Sequence, residues 1–359
     1  MKKLLLTSAL AGATLVASNA IAQTTVSGNL DITFKAISGE SSATGIGGDK
    51  SHRGFGKEAQ LNIQNKGKLN NGMDYAAGFA IEDDGNQTTS IFNENTFINF
   101  ISGSTTLTLS QDHIQNSDRT LATFVGLPPQ DISNSSNSTQ VTTDGFMGGP
   151  GADPAQAFGV GIIQATPMGN FSALYVPSNS GAAGDAYGAE NGTRDNADES
   201  AYELGFVGGL GVKGLSAHAF MNKESKANAD TRDVKGQNFG VSYNFGQITA
   251  GYNYKKSEFG TKGNAAAFGA TPVSDTKQHE YGLAFAVSPT LTIGANYAKA
   301  ENNGTGAKAD ADSKSLAVGY NLGAVVLSAQ VAQQENIDFA TGTTAKDIDV
   351  LYLRASTKF

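Results

Sequence analysis

The chain has 359 residues, with 44 glycines, 8 prolines and neither cysteine nor tryptophan, and only 16% of its residues are charged. Glycine weakens helix interiors and serves turns, so this composition points away from a helical protein. Without cysteine there is no disulfide framework, thiolate nucleophile or cysteine zinc site. Acidic residues number 33 against 25 basic ones, a formal charge of −8, and the lack of basic patches argues against a nucleic-acid partner.

The first 22 residues differ from the rest. Lys2 and Lys3 precede a mostly apolar stretch from Leu4 to about Val16, and Ala20-Ile21-Ala22 supplies a small-residue cleavage pattern. This order predicts a secretory signal peptide over residues 1–22, cut before Gln23. The apolar run is shorter than the ~20 residues a spanning helix needs, which disfavours a membrane anchor. Removing Lys2 and Lys3 takes the formal charge to −10. No later apolar run reaches the ~18 residues of a transmembrane helix.

From Thr25 onward the chain alternates with period two, the signature of strands with one apolar and one polar face. In the first segment Val26, Gly28, Leu30, Ile32 and Phe34 share one face; Ser27, Asn29, Asp31, Thr33 and Lys35 share the other. One such segment also fits an open soluble sheet. The repetition is more decisive. Alternation returns at residues 59–63, 73–81, 98–100 and 107–109, and then, after a long gap, at 158–162, 171–175, 202–206 and 215–221. It continues at 239–245, 248–254, 281–287, 291–297, 316–322, 327–331 and 351–355, making sixteen segments. The fourth is ambiguous in phase, because Phe97 and Ile101 oppose Ile98 and Phe100.

Connectors alternate too: seven short ones and eight long ones, beginning and ending with a long one. A closed antiparallel barrel with an even strand number and both chain ends on the short-turn side produces this order. The expected fold is therefore all-β: a closed transmembrane barrel of about sixteen strands over residues 23–359, with short periplasmic turns and long external loops. Val26, Leu61, Phe79, Phe239, Tyr252, Ile293 and Leu353 should face outward; Asn29, Gln60, Asn238, Asn253 and Arg354 should face the lumen. Closure leaves no unpaired backbone edge in lipid.

Other constellations carry little chemistry. His113 with Ser117 and Asp118 is the only local grouping with triad residues, and it sits in a polar loop, so no enzyme is read here. His218 is phased to the polar face. Asp310-Ala311-Asp312-Ser313 and Asp347-Ile348-Asp349 lack the glycine and closing glutamate of a calcium loop. Gly208-Gly209-Leu210-Gly211 lies in a short turn with no helix to bind phosphate. No cofactor or metal site is implied.

At this point the chain resembles the general porins of Gram-negative bacteria. The residues that carry the resemblance are Ala20-Ile21-Ala22-Gln23, the opening strand Thr25-Val26-Ser27-Gly28-Asn29-Leu30-Asp31, and the Thr105-Leu107-Leu109 strand before a long loop. The last is the terminal strand from Leu351 to Phe359, ending in phenylalanine. The resemblance implies a homotrimer in the outer membrane, in contact with lipid and lipopolysaccharide, that passes small hydrophilic solutes. It also implies a third long loop, residues 112–157, folded into the lumen as a constriction opposite basic wall residues. Candidate pore-lining residues are then Asp112, Asp118, Arg119, Asp131, Asp144 and Asp153 in that loop, with Lys35 and Arg354 on the wall. A substrate-selective porin and an adhesive or structural outer-membrane protein are the competing readings.

Overall fold

The computed structural model describes residues 23–39, 52–83, 92–111, 158–177, 200–225, 233–258, 275–302, 310–336 and 347–359. Sixteen strands run through them: β1 (Gln23–Gly39), β2 (His52–Lys68), β3 (Asp74–Asp83), β4 (Phe92–Ser102), β5 (Thr105–Ser110), β6 (Gly159–Thr166), β7 (Gly169–Val176) and β8 (Ala201–Gly208). Then come β9 (Leu215–Glu224), β10 (Val234–Asn244), β11 (Ile248–Glu258), β12 (Asp275–Ala286), β13 (Leu291–Asn302), β14 (Ala311–Asn321), β15 (Val325–Glu335) and β16 (Ile348–Lys358). Each pairs antiparallel with its sequence neighbours, and β1 pairs with β16 to close the barrel. No described residue is helical.

The two faces separate as the alternation requires. Val26, Phe79, Phe239, Ile293 and Leu353 are exposed on the outside. Leu61 and Tyr252 share that side through their cross-strand partners Gly28 and Tyr281. Asn29 pairs with Gln60 on the inner face, and Asn238 and Asn253 are wholly buried there. An apolar exterior and a hydrogen-bonding interior invert the plan of a soluble protein and suit a wall between lipid and water.

The strands are longer than their alternating segments. β12 begins at Asp275 and β10 at Val234, several residues before the hydropathy pattern starts. The added residues lie at the long-connector ends, where both faces are polar. Alternation therefore marks the stretch in hydrocarbon, while the backbone ladder continues past it.

The doubtful fourth segment contains a bulge. Its register against β3 shifts between Gly78 and Ala80, and Asn95 takes a φ of 51°. Asn and Asp are among the few side chains that accept this left-handed conformation. Beyond the bulge Phe97 and Asn99 are buried on the inner side and Ile98 is exposed outside, which settles the phase.

Short turns join the strands at the other end. In two of them an asparagine side chain bonds the backbone of a glycine with positive φ: Gly246 N donates to Asn244 Oδ1 at 3.0 Å, and Gly323 N donates to Asn321 Oδ1 at 2.7 Å. The seam is finished by the last residue. Gly28 and Phe359 exchange backbone hydrogen bonds of 2.8 and 3.0 Å, and a Cβ on Gly28 would lie 2.6 Å from the Phe359 ring.

Candidate functional site: the barrel lumen

The inner faces of β1, β2, β3 and β16 carry a charged patch. Asp31 on β1 lies directly across from Glu58 on β2, and Gln60 lies across from Glu82 on β3. Gln60 Nε2 donates to Glu82 Oε2 at 3.0 Å. Carboxylates opposite one another repel, and Arg354 answers this from β16: its Nη2 donates to Asp31 Oδ2 at 2.5 Å across the seam. Lys35, two rungs further out, faces inward opposite Tyr352, and both are buried.

A second patch spans β9 to β12. His218 Nε2 lies 3.0 Å from Asn238 Oδ1 and 3.1 Å from Asn253 Oδ1. Asn253 Nδ2 donates to Glu280 Oε2 at 2.8 Å, Lys255 Nζ pairs with Glu280 Oε1 at 3.2 Å, and Gln278 donates to the same carboxylate. Phe220 stacks on His218 with ring centroids 5.3 Å apart. Lys255, Gln278 and Glu280 are all 0% exposed. A charge withdrawn from water this far is tolerated only when paired and hydrogen-bonded, which this chain of contacts provides.

Burial divides the wall by height. Near the long-connector ends Ala298, Ala300, Ala311, Ser257 and Thr276 are 0% exposed on the inner face. Nearer the short turns, inward positions such as Gln64, Thr249, Thr292 and Ser356 retain partial exposure. The outer part also includes apolar inward residues: Leu174, Val176 and Ala201 form one cluster with Ile163, and Ile37, Ile348 and Val350 line the seam. The alternation predicts a polar inner face throughout; these apolar groups depart from it.

Of the sequence-predicted pore residues, Lys35 and Arg354 lie on the inner wall as phased. Asp112, Asp118, Arg119, Asp131, Asp144 and Asp153 fall outside the described residues, as does His113. Further charges on the wall are not among the predicted pore residues: Asp31, which the alternation phases to the polar face, and Glu58, Glu82, Glu203, Lys255 and Glu280. Their signal was available, because the same period-two phase places each beside an inward polar residue. Asp310 and Asp312, tested above as calcium ligands, are engaged by Lys299 at 2.7 Å and by the Tyr297 hydroxyl.

A closed antiparallel wall with an apolar outside, a polar inside and its long connectors gathered at one end defines an outer-membrane channel barrel. Residues 7–338 match the family described as Gram-negative porin. No curated protein matches the sequence. Among solved structures, OmpT, an outer membrane protein of Vibrio cholerae, is 14% identical, with 94% of this chain and 98% of that chain covered at a TM-score of 0.60. A porin refined at high resolution is 12% identical, with 94% and 100% covered at a TM-score of 0.58. A mutant of the Rhodopseudomonas blastica porin is 14% identical, with 94% and 100% covered at 0.54. The chain belongs to the Gram-negative porin family. It forms a channel in the bacterial outer membrane, and the family and fold are those of channels.

Proposed function

We propose that the channel passes small hydrophilic solutes and ions by passive diffusion, with a mild preference for cations and no catalytic step. The observation that carries the selectivity is the wall charge. Asp31, Glu58, Glu82, Glu203, Glu224 and Glu280 face inward against Lys35, Lys255 and Arg354, with Lys66 and Lys358 near the short turns. Lys255 and Arg354 are bonded to carboxylates. Fixed negative charge beside a narrow aqueous path concentrates cations and repels anions.

Residues 112–157 serve in this reading as a constriction loop folded into the barrel, with Asp112, Asp118, Asp131, Asp144, Asp153 and Arg119 adding to the field. The support is its length, the longest of the connectors, and its five aspartates against one arginine. Residues 1–22 are read as a signal peptide removed on export. The functional unit is a homotrimer embedded in lipid and lipopolysaccharide; OmpT of Vibrio cholerae, similar in fold, has a trimer form.

The test is the reversal potential across a planar bilayer holding the purified protein in a potassium chloride gradient. The expected sign is cation-selective, strongest at low salt because screening reaches about 8 Å at physiological ionic strength. An anion-selective sign at low salt overturns the reading.

A further inference from the structure

The inner wall beside the seam contains a recess. β2 pairs with β3 from Lys68 up to Ala59, whereas its ladder with β1 continues to His52. Among the described residues, the upper part of β2 is therefore backed by β1 alone. Its inner face carries Gly54, Gly56 and Glu58, directly across from Lys35, Thr33 and Asp31. Two successive inward positions without side chains leave a hollow in the wall, and a Cβ on Gly54 would meet nothing within 4 Å. Arg354 bounds the other side of β1, directly across from Thr33.

Two oxygens beside this hollow lack partners among the described residues. Asp31 accepts from Arg354 through Oδ2, but its Oδ1 has no hydrogen bond, and neither has Thr33 Oγ1. Asp31 and Thr33 are each 3% exposed. A buried acceptor left unsatisfied carries a desolvation cost that a ligand donor would recover. The charges around the hollow balance: Asp31 and Glu58 against Lys35 and Arg354. A bare cation would meet two bases there, and a bare anion two acids. No group of three or more His, Asp or Glu among the described residues could hold a metal ion. A ligand carrying both signs fits this set. Thr33 and Lys35 are two residues apart on one strand face, about 7 Å, and the terminal charges of an extended dipeptide are separated by about as much.

We propose that this recess is a lumen subsite for a short zwitterionic peptide. The terminal ammonium donates to Asp31 Oδ1 and Thr33 Oγ1, with Glu58 one rung below, and the terminal carboxylate lies over Gly54 toward the Lys35 ammonium. The two glycines let the peptide backbone lie flat against the wall. The site rests on the diffusion-channel reading and names a substrate class within it. Hydrogen bonds to charged groups are the stronger ones, so losing one acceptor lowers affinity about tenfold.

The experiment records ion-current noise from the purified full protein in a planar bilayer as L-alanyl-L-alanine, its C-terminal amide or its N-acetyl derivative is added. The amide lacks the carboxylate and the acetyl derivative lacks the ammonium, at nearly the same size. The zwitterion should interrupt the current saturably, at a half-saturating concentration about tenfold below that of either derivative. Thr33→Val, which removes one acceptor without changing charge, should raise that concentration about tenfold. Gly54→Leu, which fills the hollow, should abolish the interruptions. Thr292→Val, on the inner face of β13 away from the recess, should match wild type. Conductance steps from each variant report a folded barrel. Equal interruption by either derivative, an undiminished response in Thr33→Val or Gly54→Leu, or no interruption of a conducting wild-type channel would each overturn this inference and leave the channel reading standing; a wild type without conductance steps would overturn both.

Discussion

Arg354 on the last strand donates to Asp31 on the first at 2.5 Å, so the barrel seam is closed on its inner side by an ion pair as well as by backbone hydrogen bonds. The side chains are 19% and 5% exposed. The pair stabilises the seam and cancels a positive charge that would otherwise bias the lumen toward anions.

Substituting either partner should shift selectivity in opposite directions. Asp31→Asn removes a negative charge beside Arg354 and should move the reversal potential toward anions; Arg354→Gln should move it toward cations. Hydrogen bonds to charged groups contribute about 1.5–3 kcal/mol, so Asp31→Asn should also lower the unfolding midpoint in urea. Shifts of the same sign in both variants would show that the pair does not set the field.

The buried network on β11 and β12 makes a prediction about stability. Glu280→Gln removes the carboxylate that Lys255 bonds at 3.2 Å with both groups 0% exposed. Breaking such a pair costs about 3–5 kcal/mol, whereas replacing both members with apolar residues of similar volume is often neutral. Equilibrium unfolding should therefore find Glu280→Gln far less stable than the Lys255→Met, Glu280→Leu double variant. A double variant at least as damaged as the single one would mean that the pair is net stabilising.

Gly28→Val should impair closure. A Cβ there would lie 2.6 Å from both the Gln60 carbonyl oxygen and the Phe359 ring, and neither backbone nor a terminal ring bonded through its own backbone gives way cheaply. Gly54, opposite Lys35 on β2, has open space around it, so Gly54→Ala should be tolerated. The fraction of heat-modifiable, folded barrel on an unboiled gel distinguishes them: low for Gly28→Val, normal for Gly54→Ala.

Shortening the proposed constriction loop should widen the channel. Deleting residues 120–150 should raise single-channel conductance and admit larger neutral sugars in liposome swelling. Unchanged conductance in a folded deletion variant would remove the loop from the path.

The strands were legible because period-two alternation is imposed by lipid on one side and water on the other. Where that contrast ends, the sequence loses the signal: the outward lysines of β10 to β12 lie on strand that hydropathy alone assigns to loops. The bulge at Asn95 showed only as the ambiguous phase of the fourth segment, because one inserted residue changes phase without changing composition. On the lumen wall, the phase placed Lys35 and Arg354 correctly. It did not place Asp31 next to Arg354, because the first and last strands meet only when the sheet closes. The inward apolar cluster at Leu174, Val176 and Ile163 escaped the reading because a wet lumen was taken to be polar throughout.

The central claim is that this barrel encloses a continuous aqueous path. Single-channel recording of the purified protein in a planar bilayer tests it most directly. The account predicts stepwise, nearly ohmic conductance that rises with potassium chloride concentration and carries a cation-selective reversal potential at low salt. Folded, membrane-inserted protein that gives no conductance steps would contradict it.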